Sequence, residues 1–259
     1  MVNLGKQTPI QRIGKVWVKR DDLFSAAGVS GGKVRTCYYL SQGASGLVTA
    51  GSRSSPQVNI VAHVAAELGI PCRVHTPTGE LSPEVLMAKD KGAEVVQHRP
   101  GYNSVIIARA REDAFVSGWT EIPFGMECKE AVRQTSRQVR KIPANVERIV
   151  ISVGSGMSLA GLLHGMRKIQ VNIPVIGICV GASPVKRLNR YAPRNWQKMV
   201  ELKESGVSYN SEIDGSIGDI KLDPIYEAKC LPFLEYDDLF WIVGVRKTLE
   251  METKKEIET

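Results

Sequence analysis

The sequence has no cysteines in CxxC spacing, no two histidines four residues apart, and no apolar run near the roughly 20 residues that cross a bilayer. Its five cysteines, Cys37, Cys72, Cys128, Cys179 and Cys230, are scattered and odd in number, which argues against a disulfide framework and a zinc site. The four histidines, His63, His75, His98 and His164, form no helical ligand pair, so no metal is expected. The stretch MVNLGKQTPIQRIGK lacks the apolar core of a signal peptide, and the expectation is a cytoplasmic protein without membrane contact. GK[ST] is missing after a glycine-rich turn, which excludes a P-loop. Internal repeats and low-complexity linkers are also lacking.

What remains is a chain of 259 residues, 43% hydrophobic and 24% charged, long enough for one large domain or two modest ones. The formal charge of +7 raises the local concentration of acidic partners without specifying one. Alternation marks a strand over residues 14–20, with Val16 and Val18 on one face and Trp17 and Lys19 on the other. Further strands are expected at 47–50, 70–75, 93–97, 119–122, 147–153, 174–180 and 239–243. Helices are expected at 34–40, 58–68, 82–91, 102–116, 127–140 and from Met157 to about Lys168, then a long basic helical stretch. Ser82 is expected to cap its helix, and the closing METKKEIET to form a charged tail. Strands alternating with helices make parallel βαβ units. The predicted fold class is α/β, with two three-layer αβα domains on parallel sheets. A small domain spans residues 41–127, and a discontinuous larger one combines residues 1–40 with 128–259.

Three stretches carry chemistry. Ser30-Gly31-Gly32-Lys33 places a lysine behind two glycines at a helix mouth, where the macrodipole disfavours a protonated amine and the glycines let a flat ligand approach. Taken alone it is also compatible with an ordinary turn. Gly154-Ser155-Gly156-Met157-Ser158 links a buried strand to a helix and is a phosphate cradle in principle, although a tight turn without ligand reads the same way. Asp223-Pro224-Ile225-Tyr226-Glu227 sets a phenol beside a carboxylate in what is equally a proline-bounded turn.

In this order, from Thr8-Pro9-Ile10 and Val18-Lys19-Arg20-Asp21-Asp22-Leu23 through GGK and the serine loop 51–57 to Asp223–Glu227, the motifs resemble fold-type II pyridoxal-phosphate enzymes. The similarity is to the branch of 1-aminocyclopropane-1-carboxylate deaminase and D-cysteine desulfhydrase. The resemblance implies that Lys33 holds pyridoxal 5'-phosphate as a Schiff base and shuttles a proton, and that Gly154, Ser155, Gly156, Met157 and Ser158 bind the cofactor phosphate. It further implies that Glu227 faces the pyridine nitrogen, that Ser55 and Tyr226 act in catalysis, and that Ser55, Gln57 and Tyr226 contact the substrate. Relatives are commonly homodimers.

The sequence departs from the family at three places. Gly32 stands where the family has asparagine. Pro56 stands where it has asparagine between serine and glutamine, removing a side-chain amide and a backbone N–H. Phe240–Val245 stands where it has a glycine-rich turn. A lost carboxylate donor weakens a direct transfer of deaminase activity and leaves room for decarboxylation. Lys186, Arg187, Arg190, Arg194 and Lys198, with Tyr191 and Trp196 among them, suit phosphate contacts and base stacking, or else a solvated helix face whose aromatics pack inward. The expected function is a pyridoxal-phosphate-dependent lyase on an amino-acid-type amine, by deaminating elimination or decarboxylation. Two alternatives stand beside it: a decarboxylase of amino-acid-modified thymine in phage-type DNA, and a non-catalytic relative that binds nucleic acid or a partner.

Overall fold

The computed structural model describes residues 2–99, 101–244 and 246. In chain order the elements are β1 (Ile10–Ile13), β2 (Val16–Arg20), a short hairpin of β3 (Ser25–Ala26) and β4 (Val29–Ser30), α1 (Gly32–Leu40), β5 (Leu47–Ala50) and α2 (Pro56–Leu68). Next come β6 (Cys72–Pro77), α3 (Pro83–Asp90), β7 (Glu94–His98), α4 (Asn103–Ser117), β8 (Thr120–Ile122), α5 (Lys129–Gln138), β9 (Ile149–Val153), α6 (Met157–Lys168) and β10 (Val175–Cys179). The last are α7 (Val185–Tyr191), β11 (Val200–Glu204), a second hairpin of β12 (Ser216–Ile217) and β13 (Ile220–Lys221), and β14 (Leu239–Ile242). No helix among the described residues is long and apolar enough to cross a membrane.

The chain divides into two compact units, residues 1–24 with 127–245 and residues 25–126 with 246–259. The boundary expected at residue 40 is therefore corrected to residue 24. The β3–β4 hairpin and α1 belong with the middle of the chain, because α1 packs on α2 and β8. The tail expected after Arg246 lies outside the described residues.

The first unit is a six-stranded sheet in the order β1-β2-β14-β9-β10-β11, parallel except for the antiparallel edge pair β1–β2. Alternation sorts the strands onto two cores. Ile149, Ile151, Val153, Leu239 and Trp241 face one, with Leu159, Leu162 and Leu163 of α6. Val150, Phe240 and Ile242 face the other, with Val16 and Val18. The layer over the second core comes from residues 213–234, including the 3-10 helix Glu227–Phe233, rather than from an α-helix. On the first core Gly161 and Gly165 of α6 lie so close to Thr135 and Val139 that a Cβ on either would overlap them, which lets α5 and α6 touch along their backbones. Lys19, on the face opposite Val16 and Val18, is buried as well. It is 1% exposed, donates to Thr8 O at 2.6 Å, and lies 5.7 Å from the Trp241 ring centre. The long basic helix is likewise corrected: Pro193 lies in a break between the seven residues of α7 and a 3-10 turn at Trp196–Lys198.

The second unit is a four-stranded, wholly parallel sheet in the order β7-β6-β5-β8. Its helices begin as the sequence signals. Pro56 occupies the first position of α2, where a missing N–H is harmless, and Ser55 is the N-cap. Ser82 occupies the N-cap position of α3 but does not cap it, because its hydroxyl donates to Arg53 O instead.

Candidate active site

The predicted site residues fall on both units. In the first, β9 delivers the chain into Gly154–Gly156, and α6 starts at Met157. Gly156 is the N-cap with φ +85°, a left-handed conformation that suits glycine, and no side chain caps the helix. The first-turn N–H groups of this twelve-residue helix thus present the positive end of a macrodipole, flanked by the Ser155 and Ser158 hydroxyls. A Cβ on Gly154 would sit 2.8 Å from Tyr226 Cε1, so only glycine lets the phenol close on this loop. That cradle fits a phosphate monoester.

Tyr226 and Glu227 are held by their own turn. Asp223 Oδ1 accepts from the backbone N–H groups of Ile225 and Tyr226 at 2.8 and 3.0 Å, which fixes the reversal that ends at Tyr226. Glu227 is buried and accepts from Ser152 Oγ and Val243 N, each at 3.2 Å. Burial, then the neighbouring Asp223 carboxylate, pushes its carboxyl up to about 8 against those hydrogen bonds. Near neutral pH the group is therefore largely protonated in the protein as it stands, a form able to exchange a proton with a basic ring nitrogen.

Sequence reasoning missed Tyr209. Its hydroxyl lies 3.1 Å from that of Tyr226, and the two rings meet edge to face with centres 6.0 Å apart. No motif marks it, since it lies 17 positions upstream in irregular chain.

In the second unit Gly31, with φ +110°, is the N-cap of α1, and Lys33 is the second residue of the helix and partly buried. The lysine therefore sits at a helix N-terminus, as its glycines signal. Ser55 and Gln57 adjoin at the start of α2, but Gln57 departs from expectation as a substrate ligand. Its side chain is 1% exposed, and its amide donates to Thr49 Oγ1 at 2.9 Å and Pro123 O at 2.8 Å. Its backbone N–H is directed to Ser55 Oγ at 3.4 Å, and that of Val58 to Ser55 O at 3.4 Å. Pro56 has no N–H to offer. The start of α2 is thus largely closed to an anion. Sequence reasoning also missed Arg246, whose guanidinium donates to Ser54 O at 2.6 Å and lies 3.6 Å from Glu84 Oε1 of α3, bracing the serine loop.

The basic stretch splits between surface and core. Lys186, Arg190, Arg194 and Lys198 are exposed, while Arg187 pairs with Glu127 at 2.7 Å and Arg190 approaches the same carboxylate at 3.6 Å. Trp196 is buried with its indole N–H on Asn189 Oδ1, and Tyr191 packs against the core of the first unit. Of the two readings of these aromatics the inward-packing one fits: Trp196 is buried, and Tyr191 is partly buried with the Arg190 guanidinium 5.1 Å from its ring centre.

Comparison with known proteins shows the family. The model of a family described as pyridoxal-phosphate dependent enzyme matches residues 3–225. The chain is 27% identical over 286 aligned positions to the 1-aminocyclopropane-1-carboxylate deaminase of Burkholderia vietnamiensis, covering 86% of this chain and 84% of the relative. It is 25% identical to a probable 1-aminocyclopropane-1-carboxylate deaminase of Schizosaccharomyces pombe, covering 84% and 79%. Among solved structures, a homologue of that deaminase superposes with a TM-score of 0.80 at 24% identity over 99% of this chain and 95% of its own. The processed form of threonine deaminase isoform 2 from Solanum lycopersicum superposes with a TM-score of 0.65 at 15% identity, over 96% and 82%.

Proposed function

The chain belongs to the pyridoxal-phosphate-dependent enzymes, in the branch that resembles 1-aminocyclopropane-1-carboxylate deaminase, and from that membership we propose a lyase of amino-acid-type amines with Lys33 as the residue that carries the cofactor. The observation that carries this reading is the uncapped start of α6, closed by Tyr226 across a position only glycine can fill, with the raised carboxyl of Glu227 next in sequence. The backbone N–H groups at 155–158 and the hydroxyls of Ser155 and Ser158 would hold the phosphate. Glu227 would share its proton with the ring nitrogen. When bound, pyridoxal phosphate draws electron density from the amine-bearing carbon, so that a bond there breaks heterolytically. Lys33 and the Tyr226 phenol would move the protons, and Ser55 would contact the substrate.

The start of α2 favours decarboxylation over a reaction that keeps the carboxylate. A retained carboxylate needs donors through the whole reaction, and here the proline has none while the next two N–H groups are directed to Ser55. A second reading therefore stands: decarboxylation of an amino-acid substituent on a modified pyrimidine in DNA. The exposed Lys186, Arg190, Arg194 and Lys198 favour it as phosphate contacts, without help from the inward-packed Trp196.

The test begins with an absorbance spectrum before and after borohydride reduction, with peptide mapping of the reduced adduct. A bleachable visible band with the label on Lys33 is expected, and a protein that stays colourless with added pyridoxal phosphate would overturn the assignment. Carbon dioxide release, compared with ammonia and keto-acid release from 1-aminocyclopropane-1-carboxylate and D-cysteine, then separates the two bond-breaking modes.

A further inference from the structure

Tyr209 lies in a largely exposed loop. From Gly206 to Glu212 every residue but Tyr209 is exposed, and Ile213 is the next side chain that packs on the core. Yet its phenol reaches the Tyr226 hydroxyl at 3.1 Å. A buried contact on its backbone comes from Lys229. This side chain is 1% exposed, and its Nζ donates to two successive carbonyls of the loop, Ser208 O at 2.8 Å and Tyr209 O at 3.0 Å. Burying a lysine is unfavourable unless its donors are satisfied, and its neighbours Ala228 and Cys230, with Leu231 and Phe233 of the same 3-10 helix, pack on the apolar core. Tyr226 is the N-cap of the same 3-10 helix, three residues before Lys229. One short element therefore sets the position of both phenols, the first directly and the second through the lysine. The other side of Tyr209 is set by Gly181, where a Cβ would sit 3.1 Å from its ring.

We propose that Lys229 is a positioning residue that holds the Tyr209 hydroxyl on that of Tyr226, so that the phenol at the reacting carbon works as half of a pair. The proposal rests on the assignment of Tyr226 to the active site. In the test, Lys229→Met and Tyr209→Phe are combined in a double-mutant cycle on kcat, using the holoenzyme with whichever of 1-aminocyclopropane-1-carboxylate and D-cysteine it turns over. Amide hydrogen exchange of residues 205–211 is measured in parallel. Tyr209→Phe is expected to lower kcat about tenfold with Lys229 present and less than about twofold in Lys229→Met. The 205–211 amides are expected to exchange about tenfold faster in Lys229→Met, with β9 and β14 unchanged. Independent, multiplying effects on kcat, or equal exchange in the loop, would overturn the proposal. Should Lys229→Met fail to fold, Lys229→Gln, which is shorter and uncharged and keeps two amide donors, carries the same cycle. A wild-type protein that takes up no pyridoxal phosphate would refute the functional reading instead, and the exchange result would still decide the role of Lys229.

Discussion

Glu227→Gln gives a stability prediction that needs no substrate. In the cofactor-free protein the Glu227 carboxyl is pushed from 4.5 up to about 8, first by burial and then by Asp223. The folded state thus keeps a proton that the unfolded state has lost between those two values. Stability contributed by this group is fully present below pH 4.5 and is lost as pH rises, with a slope of about 1.4 kcal/mol per pH unit. Between pH 5 and pH 8 that amounts to about 4 kcal/mol. Glutamine keeps the side-chain oxygen that accepts from Ser152 and Val243 but cannot ionise. In urea unfolding of the cofactor-free protein, the two variants should be close in stability at pH 5, and Glu227→Gln should become the more stable by several kcal/mol at pH 8. Curves of stability against pH that run parallel across this range would refute the argument, and with it the protonated carboxyl beside the proposed ring site.

Lys33→Ala should abolish both the visible band and turnover, and turnover that survives saturating cofactor would contradict its role. Gly154→Ala puts a methyl group 2.8 Å from Tyr226 Cε1, so kcat should fall at least about tenfold while circular dichroism stays unchanged. Gln57→Leu removes a buried amide that ties Thr49 to Pro123, and should destabilise by about 1–3 kcal/mol in urea unfolding. A rise in KM without loss of stability would restore it as a substrate ligand. Asp238, wholly buried, accepts from Arg148 Nε at 2.9 Å and Nη2 at 2.7 Å, and Asp238→Ala should cost about 3 kcal/mol, read from the same unfolding curves.

The elements legible in the sequence are those whose signal is local. Period-two alternation in Val16–Arg20, the short apolar run of Ile149–Val153, and the serine and proline at the start of α2 reflect dihedral preferences and faces set by near neighbours. The lysine behind Gly31-Gly32 and the glycine-serine turn at 154–158 were legible for the same reason. What escaped depends on distant partners. Lys19 sits at a position that alternation points away from the valine face, and its burial is met by the carbonyl of Thr8 and the ring of Trp241, neither of which local pattern announces. Gln57 reads as a site residue because the serine loop resembles that of the family, while its amide nitrogen donates to a strand and a loop eight and 66 positions away. Tyr209 and Arg246 carry no motif, since each is placed by groups that the chain brings up from elsewhere. The boundary at residue 24 was hidden because nothing in residues 25–40 announces which sheet α1 will pack on.

The place of β14 in its sheet bears on how the chain is made. Residues 25–126 are contiguous, so the four parallel strands of that unit are all available while synthesis continues. In the other unit the strand between β2 and β9 is Leu239–Ile242, the last of the sheet to leave the ribosome. Until then β2 and β9 lack a neighbour on their facing edges, and the second core lacks Phe240 and Ile242. A nascent chain therefore carries a finished four-stranded sheet between the halves of an unfinished six-stranded one, and a ribosome stalled before residue 239 leaves two open strand edges for a chaperone to cover.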